Sequence, residues 1–169
     1  MMSDNAAKVR RRRPSSVLIA DDHDHSRFAE RVVLEDAGFA VIEACSGFDA
    51  LVLAQVSRPR VMLLDIVLPE IDGLQLTRML RADPTLRHSA IIAVTAFLGE
   101  DYRDAAFDAG CDEFVTKPVS ATHLVELVRR YVRRPAPAGY DLDLTGTASA
   151  IARPASLRRL DDAPPTPPS

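Results

Sequence analysis

Residues 61–73 read VMLLDIVLPEIDG, and their opening decides the fold: Val61, Met62, Leu63 and Leu64 carry no charge and run directly into Asp65. A buried strand is written in apolar residues, so a carboxylate just past its end is aimed at the mouth of the sheet. Outward from this stretch the arrangement recurs. Residues 17–20 (VLIA) run into Asp21 and Asp22, residues 90–94 (AIIAV) into Thr95, and residues 113–115 (EFV) into Thr116 and Lys117. In an open parallel sheet ligands bind in the crevice outside the carboxyl ends of the strands. The four ends therefore converge on one acidic pocket with one lysine in it.

With residues 40–44 these segments make five short strands, rich in Val and Ile and bounded by polar or glycine punctuation. A stretch of helical spacing follows each. The first carries Phe28, Val32 and Leu34, has Asp24 or Ser26 as its cap, and stops at Gly38. The second covers about residues 48–56, with Ser46 as cap and Pro59 beyond its end. The third, 74–81, follows the turn at Pro69, Asp72 and Gly73. The fourth, 100–109, sets Tyr102, Ala106 and Ala109 along one face and ends at Gly110. The fifth, 121–133, turns Leu124, Leu127, Val128 and Tyr131 inward. Strict alternation of strand and helix requires right-handed crossovers, hence an α/β doubly wound five-stranded parallel sheet with helices on both faces.

Composition bounds the partners. The chain has 169 residues, 47% of them hydrophobic, and a formal net charge of −3. That is enough apolar material for one domain with tails, and it lacks the overall basic footprint of a nucleic-acid binder. No apolar run approaches the ~18 residues of a membrane span or the core of a signal peptide. Two distant cysteines, Cys45 and Cys111, form neither a CxxC metal pattern nor a disulfide framework. A reducing cytoplasm is the expected compartment. Residues 1–15 read as a loose basic tail with Arg10, Arg11, Arg12 and Arg13, residues 16–134 as the domain, and residues 135–169, with Pro135, Pro137 and a terminal APPTPPS, as a flexible Pro-rich tail. Within that tail the stretch 151–160 reads first as an unstructured linker; the alternative is a docking motif or a transient helix that Pro154 keeps short.

The pocket residues have plain roles as well as chemical ones. Asp21 and Asp22 suit a turn, Thr95 is an ordinary β-branched strand residue, and Lys117 suits a surface. Their convergence argues for more. Carboxylates gathered at one point repel one another unless a cation intervenes. A hard divalent ion suits oxygen ligands, and Mg2+ in particular is held by one or two carboxylates plus phosphate oxygens. Lys117 then serves as counter-ion to a phosphoryl group and Thr95 as hydroxyl donor to it. The set suits phosphoryl transfer to a carboxylate nucleophile, and no P-loop, HExxH, GxSxG or GxGxxG context competes.

The order and spacing of Asp21-Asp22, Asp65 followed by LPEIDG, Thr95-Ala96 and Lys117-Pro118 closely resemble the receiver domain of two-component response regulators, over about residues 16–134. The resemblance implies a flavodoxin-like sheet of order 2-1-3-4-5 with five helices, as in the stand-alone chemotaxis receivers. It implies Asp65 as phosphoacceptor, Mg2+ bound by Asp22, Asp65 and the Val67 carbonyl with Asp21 acting through water, and Thr95 and Lys117 on the phosphoryl oxygens. Phe114 matches the switch aromatic that turns inward as Thr95 is drawn to the phosphoryl group, and the bond before Pro118 is expected to be cis. A sensor histidine kinase or histidine phosphotransfer protein is the expected donor. The expected outlet is a protein target at the Phe114 face or a phosphorylation-driven homodimer pairing Asp101, Asp104 and Asp108 with Arg129, Arg130 and Arg133. Such a protein is not an enzyme beyond its own phosphorylation and slow dephosphorylation.

Two other classes use the same residues differently. A phosphorylation-independent adaptor would keep the fold without needing the intact acid pair, acceptor, threonine and lysine. An aspartyl-phosphate phosphohydrolase would want a second acid two residues past its nucleophile, where Val67 stands. Receivers often carry polar residues at the positions of Val67 and Phe97, flanking the approach of attacking water. Both are apolar here, so self-hydrolysis is expected to be slow. Replacing Val67 with Asn and Phe97 with Glu is expected to accelerate phosphate loss in a radiolabel decay assay; an unchanged decay rate in both variants contradicts this.

Overall fold

The computed structural model describes residues 15–134. The expectations for residues 1–14 and for the Pro-rich segment 135–169 lie outside the described residues. Strands and helices alternate without exception: β1 Ser16–Ala20, α1 Asp24–Asp36, β2 Ala40–Ala44, α2 Gly47–Ser57, β3 Val61–Leu64, α3 Gly73–Ala82, β4 Ala90–Thr95, α4 Glu100–Ala109, β5 Glu113–Thr116 and α5 Ala121–Val132. All pairings are parallel, and the order is β2-β1-β3-β4-β5. The topology is the flavodoxin-like one.

The strand composition follows from its position. Every residue of β3 and β4 is buried, because helices cover both faces, whereas the edge strand β2 keeps Glu43 exposed. Alternation divides the core in two. Leu18, Met62, Leu64 and Ile91 face Leu76, Leu80 and the other side chains of α2, α3 and α4. Val17, Ile19, Leu63 and Ile92 face Leu34 of α1 and the Leu124, Leu127, Val128 and Tyr131 set of α5. Each fully buried aliphatic side chain contributes roughly 1.5–3 kcal/mol relative to exposure, so the α5 face alone anchors its helix firmly.

Helix starts follow local chemistry. Ser46 caps α2 by accepting from Asp49 N at 3.1 Å, and the Asp49 carboxylate accepts in return from Cys45 N. Asp72 caps α3 and Ser120 caps α5 in the same way. The start of α1 differs from expectation: neither Asp24 nor Ser26 caps it. His23 stands at the cap without a side-chain bond to the helix, and the Asp24 carboxylate pairs with Arg27 at 2.5 Å. Not every apolar residue at helical spacing is buried. Phe28 and Val32 of α1 are exposed, with the Arg31 guanidinium over the Phe28 ring, and Tyr102 of α4 lies outward against Phe97 at a ring separation of 4.9 Å.

Two glycines tie the β3–α3 loop to the sheet edge. A Cβ on Gly73 would lie 2.2 Å from the Asp65 carbonyl oxygen, and one on Gly47 would lie 1.9 Å from the Ile71 carbonyl oxygen. Both contacts are with backbone, so neither position admits a side chain without displacing the segment that follows the strand. Farther down, Arg81 of α3 donates to the carbonyls of Gly110 and Ser89 and pairs with Asp112 at 2.7 Å, joining α3 to the connection between α4 and β5.

Candidate phosphoryl-acceptor site

The sheet's hydrogen-bonding continues one residue past several strands and so fixes the acids at its edge. Asp21 N donates to Ala44 O, Asp65 N to Ala20 O at 2.9 Å, and Lys117 N to Thr95 O at 2.8 Å. Asp21 and Asp65 are nearly inaccessible, at 1% and 7% exposure, and Thr95 is fully buried. The Lys117 ammonium lies between the two acids, 2.5 Å from Asp21 Oδ2 and 3.0 Å from Asp65 Oδ2. Each acid's other oxygen accepts a backbone N–H: His23 N reaches Asp21 Oδ1 at 2.7 Å, and Val67 N reaches Asp65 Oδ1 at 3.1 Å. Burial alone would lower the Lys117 pKa. The hydrogen bonds and charges of Asp21 and Asp65 outweigh it, and the ammonium is held above its ordinary value.

The remaining sequence-derived residues sit around this core at different depths. Asp22 is more exposed than its neighbour, and its Oδ1 lies 2.8 Å from His23 Nδ1. Val67 and Phe97 are part-exposed at 48% and 40%, and Phe97 N donates a long bond to Thr95 Oγ1 at 3.4 Å. Phe114 stands inward, packed into the cluster shared with α3 and α4. The Lys117–Pro118 peptide bond is cis. Asp101, Asp104 and Asp108 on α4 and Arg129, Arg130 and Arg133 on or just beyond α5 are all exposed.

Three residues join the site without having been singled out from the sequence. Arg27 Nη1 donates to the Asp21 carbonyl at 2.7 Å and so braces the first acid from α1. His23 contributes a ring nitrogen that, with one oxygen each of Asp21 and Asp65, forms a group whose members lie within 4.8 Å of one another. Glu30, two turns along α1 from Asp22, is part-buried near the same charges. The only signal for His23 and Arg27 in the sequence is a run of charged and imidazole side chains, DDHDHSR, directly after a strand, and Glu30 lies beyond that run.

Two buried carboxylates bridged by an ammonium, with more oxygen donors beside them, suit a hard dication: the donor set is oxygen-rich and carries more negative charge than one lysine neutralises. Comparisons with known proteins agree with this arrangement. Residues 17–129 match the response regulator receiver domain family. The chain is 36% identical over 119 residues to the polar-differentiation response regulator DivK of Brucella anthropi, a match covering 70% of this chain and 97% of that protein. Among solved structures it is similar to a putative response regulator from Chloroflexus aurantiacus, with 32% identity, a TM-score of 0.69 and coverage of 72% of this chain and all of that one. It is also similar to the receiver domain of a sensor histidine kinase of Pseudomonas aeruginosa, described with a magnesium ion coordinated in its active site cleft, at 27% identity, a TM-score of 0.67 and coverage of 71% and 98%. The protein belongs to the response regulator receiver domain family, and among the described residues no helix is long and apolar enough to cross a membrane.

Glu30 gives the site a measurable pH dependence. Burial pushes its carboxyl up to about 7; Lys117 opposes the shift, and the charges of Asp21 and Asp65 add to it. The folded chain therefore holds a proton that the unfolded chain has released between the ordinary Glu value and about pH 7. Stability from this group is full at the acid end of that window and declines as pH rises through it. Urea unfolding of Glu30→Gln in a chelator is expected to show a shallower decline across the window and greater stability at neutral pH than the wild type; parallel curves for the two proteins contradict the assignment.

Proposed function

We propose that this protein is a single-domain response regulator in which residues 16–134 form the receiver and Asp65 accepts a phosphoryl group from a phosphohistidine. The observation that carries the reading is the Lys117 ammonium shared between buried Asp21 and Asp65. A carboxylate oxygen of Asp65 attacks phosphorus, the P–N bond of the donor breaks, and the departing imidazole takes up a proton. The Val67 N–H steadies Asp65 by donating to Oδ1. The Lys117 ammonium neutralises charge gathering on the phosphoryl oxygens, and the buried Thr95 hydroxyl donates to one of them.

Asp22, Asp65 and the Val67 carbonyl, with Asp21 through water, are the residues that would hold Mg2+, which supplies further neutralisation of the phosphoryl oxygens when bound. The similar receiver domain described with magnesium in its active site cleft supports Mg2+ as the ion. Thr95 then reports the modification to Phe114 through the packed α4–β5 region, a local charge event that biases a two-state surface. Val67 and Phe97 shield the acyl phosphate and slow its hydrolysis. The donor is a sensor histidine kinase or a histidine phosphotransfer protein. The output is protein docking at the Phe114 face, including self-association through the exposed acids of α4 and arginines of α5.

Incubating the full chain with Mg2+ and a small phosphodonor tests the reading. Stoichiometric, acid-stable and base-labile label, lost in Asp65→Asn, is the expected result. Absence of label identifies an adaptor that uses the fold alone, and continuous phosphate release identifies a hydrolase; either overturns the proposal.

A further inference from the structure

The solvent face of α2 differs from that of every other helix. Its exposed positions, Phe48, Val52, Gln55, Val56 and Ser57, carry no charge, whereas α1, α3, α4 and α5 each expose at least one charged residue. Asp49, the one ionisable residue of α2, is occupied at the helix start, where it accepts from Cys45 N. Phe48, Val52 and Val56 are 56%, 42% and 76% exposed, and no described element covers them. Residues four apart in a helix share a face and rise about 6 Å per step, so these three form an apolar stripe about 12 Å long.

The domain ends beside one end of that stripe. Arg60, two residues past the α2 cap residue Arg58, donates from Nε to Val132 O at 3.1 Å and from Nη2 to Arg134 O, and so ties the end of α5 to the segment following α2. Val56 precedes Arg60 by four residues, which places the two within about 14 Å even on a fully extended chain. After Arg134 the sequence reads PAPAGYDLDL, in which Tyr140, Leu142 and Leu144 alternate with Asp141 and Asp143. Strict alternation gives an extended segment one apolar and one polar side. Residues two apart in such a segment are separated by about 6.6 Å, close to the step of about 6 Å along the α2 stripe, so the two sets of three match.

We propose that residues 140–144 dock on the exposed face of α2 in their own chain, antiparallel to the helix, with Tyr140 against Val56, Leu142 against Val52 and Leu144 against Phe48. Asp141 and Asp143 then face water. The connection from Arg134 to Tyr140 reaches up to about 20 Å, and its Pro135 and Pro137 favour extended backbone. Patch size selects this occupant over a second copy. At the exposures above the three side chains offer roughly 300 Å2, so two copies would bury about 600 Å2 between them, well short of the ~1,200 Å2 of a stable specific interface. A tethered segment needs less, because its effective concentration is in the millimolar range. The inference does not depend on the phosphoryl chemistry of Asp65.

Two measurements on the full chain test it. Chymotrypsin cleavage after Tyr140, followed by mass spectrometry, tracks the undocked population and is expected to be about tenfold faster in Val52→Glu than in the wild type. Arg78→Glu, an exposed change on α3, is expected to leave the rate unaltered. In Cys45→Ser chains treated with copper–phenanthroline and oxygen, Val52→Cys combined with Leu142→Cys is expected to give a disulfide within the monomer about tenfold faster than Arg78→Cys combined with Leu142→Cys, because bonding requires the two Cβ atoms within about 4.5 Å. Equal cleavage of wild type and Val52→Glu overturns the proposal, as does trapping no faster at residue 52 than at residue 78. Disulfides that form only between chains overturn it in favour of a second copy on the α2 face.

Discussion

Asp21 and Asp65 are delivered by neighbouring parallel strands to the same edge of the sheet, both almost wholly out of water, and Lys117 from the far strand places its ammonium against both. Two like charges in that position repel strongly in a medium less polarisable than water, and each loses hydration. The arrangement holds because every carboxylate oxygen named in it has a donor: lysine on one side of each acid, a backbone N–H on the other. This is a site poised around charge. A phosphoryl group or a dication entering it changes the charge balance among Asp21, Asp65 and Lys117.

The scaffold transmits that balance through short backbone contacts. Gly73 lets the start of α3 close on the residue after β3, and Gly47 lets the start of α2 close on the same loop, so the chain following Asp65 has little freedom to drift. On the opposite flank, Thr95 and Lys117 are joined by a backbone bond from β5 to β4, and Phe114 sits three residues upstream in the core shared with α3 and α4. Charge at the edge and packing under α4 are thus parts of one continuous arrangement. Phe97 and Tyr102, either side of the start of α4, form an exposed apolar pair with ring centroids 4.9 Å apart.

Much of this was legible in the sequence because burial on both faces writes strands as unbroken apolar runs. The five strands, the parallel topology, the Ser46 cap and the inward face of α5 all follow from local pattern. What stayed hidden depends on tertiary neighbours. Periodicity marks Phe28 and Val32 as apolar but cannot show that no element among the described residues covers them, and Tyr102 has the spacing of an inward residue yet finds its partner in Phe97 outside the core. Asp24 has the chemistry of a cap, but Arg27 one turn later takes its carboxylate. His23 and Glu30 acquire their interest only once folding sets them beside Asp21 and Asp65. Asp22, implied by the resemblance as a direct metal ligand, lies at the same edge with its Oδ1 2.8 Å from His23 Nδ1, a contact that local pattern does not reveal.

The central claim is that one ammonium balances two buried carboxylates and that a dication can take over part of that duty. Thermal unfolding of Lys117→Met, in a chelator and then with Mg2+, addresses it most directly. Removing one partner of a buried ionic group typically costs about 3–5 kcal/mol. The account predicts a lower melting temperature for the variant in chelator and a larger rise on adding Mg2+ than the wild type shows. A variant as stable as the wild type in chelator, with no greater response to Mg2+, would contradict it.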